Sequence, residues 1–124
     1  MLLLDTHAFL WFEENNPKIP SPVMDEILTA DDVFVSVASF WEIAIKHSLG
    51  KLDLRVPIEE LMEHCEFSIL PVQPSHLKQL TVLPWIHRDP FDRLLVCQAQ
   101  AEGLTLVSAD ENIRKYDVNV LWKG

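Results

Sequence analysis

Residues 87–113 read HRDPFDRLLVCQAQAEGLTLVSADENI. Asp89 has the character of a helix N-cap, Pro90 suits the first helical position, and Asp92 falls in the first turn, where a carboxylate favours the helix dipole. The apolar run LLVCQA supplies a buried helix face, and Gly103 is the residue expected just past a helix C-terminus. LTLVS then reads as a strand, with Asp110 close behind it. A helix feeding directly into a short apolar strand is the unit from which a parallel, helix-covered sheet is built.

Reading outward from this stretch, the same alternation recurs. Leu2–Leu4 form a continuous apolar run suited to a strand covered on both faces, and Asp5 follows it. THAFLWFEE is the next helix. SPVMDEILTA reopens a helix with Ser21 as N-cap and Pro22 at its first position. VFVSV is a second strand, SFWEIAIKHSL a helix stopped by Gly50, and PIEELMEHC a further helix. FSILPV, LTLVS and VNVLW complete the strands, with PSHLKQL and PFDRLLVCQAQAE as the intervening helices. The expected architecture is α/β: one domain spanning residues 1–124, an α/β/α sandwich around a central, mainly parallel sheet. Ligands of such sheets bind outside the carboxyl ends of the strands.

The composition agrees with one compact core: 124 residues, 48% hydrophobic and 23% charged. No apolar run approaches the roughly 20 residues of a membrane span, and MLLLDTH lacks the features of a signal peptide. A cytoplasmic protein is expected, with no membrane partner. Cys65 and Cys97 form no CxxC pair, and Cys97 within LLVCQA reads as a small core residue. A net charge of -9 argues against a general nucleic-acid coat, although not against an enzyme that cuts nucleic acid.

Four carboxylates stand out. Asp5 and Asp110 each follow a predicted strand, and each equally serves as a cap for the segment after it. Glu42 lies on a narrow polar stripe with Ser39 and Lys46, in a helix otherwise apolar on nearly every side. Asp92 shares a helical face with Val96 and Ala99, so it heads a buried face, whereas Asp89 is accounted for by capping. All four are expected at one end of one sheet, where like charges repel unless a cation sits among them. Oxygen ligands point to a hard ion, Mg²⁺ or Mn²⁺, and the usual work of such an ion is on phosphates. His7, His47, His64, His76 and His87 fall at no metal-ligand spacing. A haloacid-dehalogenase-like phosphatase needs a second Asp two residues after the first, where this chain has His7. A receiver domain wants an acidic pair after its first strand. A non-catalytic binding module would leave the four acids without a purpose.

LLLDTHAFLW, SVASFWEIAIKHSLGKL and residues 87–113 together resemble the PIN-domain ribonucleases, specifically the VapC-like toxins of bacterial type II toxin-antitoxin systems. The resemblance spans nearly the whole chain and implies a metal-dependent endoribonuclease with Asp5, Glu42, Asp92 and Asp110 as its acids. It implies that Asp5 and Asp92 hold Mg²⁺ directly, with Glu42 and Asp110 acting on outer water or a second metal. Thr6 and Ser108 match hydroxyl residues that orient the acids. Lys46 and Arg93 are candidate phosphate contacts. The implied partners are an RNA substrate, a small cognate antitoxin and a second copy of the chain as a homodimer. Phe9, Leu10, Trp11 and Phe12 in succession cover more than one helix face, so Trp11 or Phe12 is expected to line the antitoxin groove.

Overall fold

The structure, a computed structural model, describes residues 1–122. Five parallel strands form one sheet in the order β3-β2-β1-β4-β5. They are β1 (Leu2–Leu4), β2 (Val33–Ser36), β3 (Ser68–Leu70), β4 (Thr105–Val107) and β5 (Val120–Leu121). The helices are α1 (Thr6–Glu13), α2 (Ser21–Thr29), α3 (Val37–Ser48), α4 (Ile58–Glu63), α5 (Pro74–Leu80) and α6 (Pro90–Glu102). A short 3₁₀ turn, Ile113–Lys115, stands between β4 and β5.

The central strand shows how the sequence makes two layers. Successive side chains of a strand point to opposite faces. Leu2 and Leu4 accordingly join the core beneath α1, α2 and α3, with Phe9, Val23, Ile27, Phe40 and Ile43. Leu3 enters the opposite core with Leu95, Val96, Ala99 and Leu106 beneath α6. Both faces being buried, β1 has no room for a polar residue until it ends at Asp5. Truncating a fully buried leucine such as Leu3 or Leu95 to alanine would cost about 2–5 kcal/mol.

Helix ends depart from the sequence reading at two places. Pro20, not Ser21, occupies the N-cap of α2, so the helix opens without a side-chain cap. α3 begins at Val37 and is capped by Ser36, whose hydroxyl accepts from Ala38 N at 3.0 Å. β2 therefore turns straight into α3, and Ser39, expected to open this helix, is already buried within it. Gly103 is confirmed as the terminator of α6, in the left-handed conformation at φ 68°. Cys97 is fully buried and Cys65 half-buried; burial pushes both thiols up, which fits core residues rather than nucleophiles. No helix among the described residues is long and apolar enough to cross a membrane.

Candidate active site

The carboxyl ends of β1, β2 and β4 lie side by side, Leu4 pairing with Val35 on one side and Val107 on the other. Asp5 continues from β1 with its amide donating to Val107 O at 3.0 Å. It is both cap and site residue: Oδ1 accepts from Ala8 N at 2.8 Å, yet the residue is only 4% exposed. Burial pushes its carboxyl above the usual range, and the charge of Asp110 adds to the push. The Ser108 hydroxyl, the Ala8 amide and His7 act in the other direction.

Glu42 arrives from the second turn of α3 and is also 4% exposed. Thr6 Oγ1 donates to its Oε1 at 2.6 Å and lies 3.0 Å from Ser39 Oγ. Lys46 Nζ, one turn on, reaches Oε2 at 2.8 Å. This is not a surface ion pair but a buried carboxylate with a partner on each oxygen. The hydrogen bond to Glu42 and the charges of Glu42, Asp89 and Asp92 raise the Lys46 pKa, with desolvation working against them.

Asp89 and Asp92 divide as helix geometry requires. Asp89 caps α6, its Oδ1 accepting from Phe91 N at 2.9 Å and Asp92 N at 3.1 Å. Asp92 points inward from the first turn; burial, then the charges of Asp89, Asp5 and Glu42, push it up to about 7 against a hydrogen bond with His87. Asp110 stands after β4, where the Ser108 hydroxyl accepts from its amide at 3.0 Å and its own Oδ1 accepts from Asn112 N at 2.8 Å. That turn replaces the helix N-cap which the sequence alone also allowed.

Two residues depart from expectation. Arg93 is buried at 3% exposure and cannot serve as a phosphate contact. Its Nη1 donates to Pro84 O at 2.8 Å and Tyr116 Oη at 3.1 Å, its Nη2 donates to Leu83 O at 3.2 Å, and Trp85 lies over the guanidinium at 3.7 Å. It is the brace of the 83–87 loop. His87, which no spacing rule selects, reaches into the acids: Nε2 lies 3.0 Å from Asp92 Oδ2 and 3.2 Å from Asp110 Oδ2. Among the described residues, His87, Asp92 and Asp110 form the group able to offer ligand atoms within 4.8 Å of one another, and Asp5 is not in it. Spacing rules describe ligands carried on one element, whereas these three come from a loop, a helix and the segment after a strand. The one signal in the sequence is an imidazole just ahead of a helix opened by two aspartates.

The first helix shares out its apolar run. Phe9 is fully buried, Trp11 packs near His7 and Trp122, and Phe12 meets Phe67 edge-on. Leu10 lines a cleft between α1 and α4 with Leu54, Val56 and Leu61.

A model of the PIN domain family matches residues 2–119. Over 120 residues the chain is 27% identical to Ribonuclease VapC22 of Mycobacterium tuberculosis, covering 93% of this chain and 91% of that protein. Among solved structures, FitAcB from Neisseria gonorrhoeae is similar with a TM-score of 0.68 at 20% identity, over 98% of this chain and 96% of that one. VapBC2 from Rickettsia felis, solved bound to a DNA fragment from their promoter, reaches a TM-score of 0.74 at 13% identity over 98% of both chains. The structural likeness at such identities speaks for the fold alone, but the family match runs from the first strand almost to the last, across every acid described above: the chain belongs to the PIN domain family.

Proposed function

We propose that the protein is a metal-dependent endoribonuclease, the toxin of a type II toxin-antitoxin pair. The observation that carries this is the gathering of buried acids from separate segments, with Asp92 held at about 7 by burial and by its acidic neighbours. Their oxygen donors suit Mg²⁺ or Mn²⁺, and a divalent ion relieves the repulsion that the acids exert on one another. When bound, the ion supplies Lewis acidity to a phosphate and a lowered pKa to a water.

The chain's own residues divide the remaining work. Asp5 and Asp92 hold the ion, and the Ser108 hydroxyl orients Asp5. Thr6 fixes one oxygen of Glu42, so that Glu42 faces the site in a single orientation. Glu42 and Asp110 hold outer water or a second ion and help to activate the attacking water, Asp110 being the more exposed of the two acids beside His87. Lys46, 40% exposed and anchored by Glu42, remains the candidate phosphate contact. Ribonuclease VapC22 is named for its activity, and one solved neighbour is a toxin-antitoxin complex from Klebsiella pneumoniae; these support an RNA substrate and a small protein partner. The protein is cytoplasmic and dimeric in this proposal.

Incubating the purified protein with labelled single-stranded RNA in Mg²⁺, in Mn²⁺ and in EDTA tests the proposal. Internal cleavage that requires the metal and disappears in Asp5→Asn and Asp92→Asn is expected. Cleavage that persists in EDTA, or in both variants, would overturn it.

A further inference from the structure

We propose that His87 is a direct ligand of the divalent ion, giving an otherwise carboxylate site one nitrogen donor; this rests on the metal-dependent function proposed above. Neighbouring ligands around an octahedral ion with bonds of about 2.1 Å stand about 3.0 Å apart. His87 Nε2 lies 3.0 Å from Asp92 Oδ2 and 3.2 Å from Asp110 Oδ2. Both spacings suit neighbouring positions on one ion, and the three atoms lie within 4.8 Å of one another. The alternative is an imidazole that stays hydrogen-bonded to Asp92 and Asp110 while the ion takes other oxygens, and the spectroscopic test below separates the two.

The surroundings of His87 hold the ring at the acids. Its backbone N–H donates to Tyr116 Oη at 2.8 Å, and its carbonyl lies 3.4 Å from Arg93 Nη1. Arg93 also holds the carbonyls of Leu83 and Pro84, so a buried guanidinium fixes both ends of the segment that delivers the ring. Outer partners that orient a ligand are a regular part of metal sites. The buried Arg93, which contributes nothing to phosphate binding, thereby acquires a purpose as the positioning residue for His87.

A nitrogen ligand is directly visible in Mn²⁺-loaded protein, because ¹⁴N of a coordinated imidazole modulates the electron spin echo. The modulation is expected in wild type and in His7→Gln, which removes the other histidine beside the acids, and it should vanish in His87→Gln. Mn²⁺ affinity of His87→Gln should fall by about 10- to 100-fold. Mg²⁺ affinity, measured by competition, should fall less, since the harder ion prefers the oxygens. Stoichiometric Mn²⁺ binding to wild type without imidazole modulation would overturn the proposal even if His87→Gln failed to fold, and so would modulation that survives in a folded His87→Gln. Failure of wild type to bind Mn²⁺ at all would instead overturn the metal-dependent function, and this ligand assignment with it.

Discussion

One helical turn separates Asp89 from Asp92, and their surroundings give the same side chain two kinds of work. Asp89→Ala should cost about 1 kcal/mol, the ordinary value of an N-cap, and leave RNA cleavage largely intact. Asp92→Asn should abolish cleavage while the fold persists, and urea titrations alongside cleavage assays would separate the two effects. Reversed outcomes would mean that the cap and the site have been exchanged. In the metal-free protein Asp92 titrates at about 7 when folded, against 3.8 for an unperturbed carboxyl. Between these values the folded state binds the extra proton, so this group's stabilising contribution is lost as pH rises from about 4 to about 7. Measured in EDTA, Asp92→Asn should therefore gain stability relative to wild type across that window; a constant difference would show that Asp92 is not held protonated. The inward direction of Asp92 was legible in the sequence because helix periodicity alone sets it. His87 was not, because its direction depends on Arg93 and Tyr116, and Tyr116 is brought to it by tertiary packing.

α6 carries the clearest local instructions in the chain: a capping aspartate, a proline at its first turn and a glycine at its end. Gly103 sits at φ 68° with open space where a Cβ would project, so the penalty of Gly103→Ala is conformational, about 1–2 kcal/mol, and Gly103→Asn should lose less. Equal losses for both variants would point to a hidden steric contact. Arg93 is the part of α6 that charge alone misread as a phosphate contact. Arg93→Ala strands the carbonyls of Leu83 and Pro84 and should lower stability by roughly 2–4 kcal/mol. Arg93→Lys should recover little of this, because an ammonium cannot reproduce the planar fork. A variant that instead keeps wild-type stability and changes only the RNA KM would restore the phosphate role. The start of α3 was misplaced for a related reason: Val37 is β-branched and reads as strand, but the Ser36 cap and the packing of Phe40 and Ile43 draw it into the helix.

At the scale of the molecule, alternation of apolar strands and helices announced a parallel sheet, but strand order and the two-sided division of the core depend on long-range pairing that no local pattern encodes. The acids met at the carboxyl edge because Asp5 and Asp110 each follow a strand, a placement the sequence does carry. If they bind a divalent ion as proposed, Mg²⁺ or Mn²⁺ at a hundredfold excess over its Kd should stabilise the protein by about 2.7 kcal/mol, and EDTA should reverse the shift in a thermal melt. An unchanged Tm with either ion would count against the metal. Co-expression with the protein encoded immediately upstream tests the partner surface: Trp11→Ala or Phe12→Ala should weaken co-purification, while undiminished recovery with both would confine these rings to packing against Trp122 and Phe67. The central place of β1 bears finally on the order of synthesis. Asp5 is made before β4, yet its strand is flanked on one side by β4, whose Val107 receives the Asp5 amide and whose end carries Ser108 and Asp110. If the protein cuts RNA as proposed, a nascent chain still lacking β4 holds no completed acidic pocket and cannot yet attack the message that encodes it.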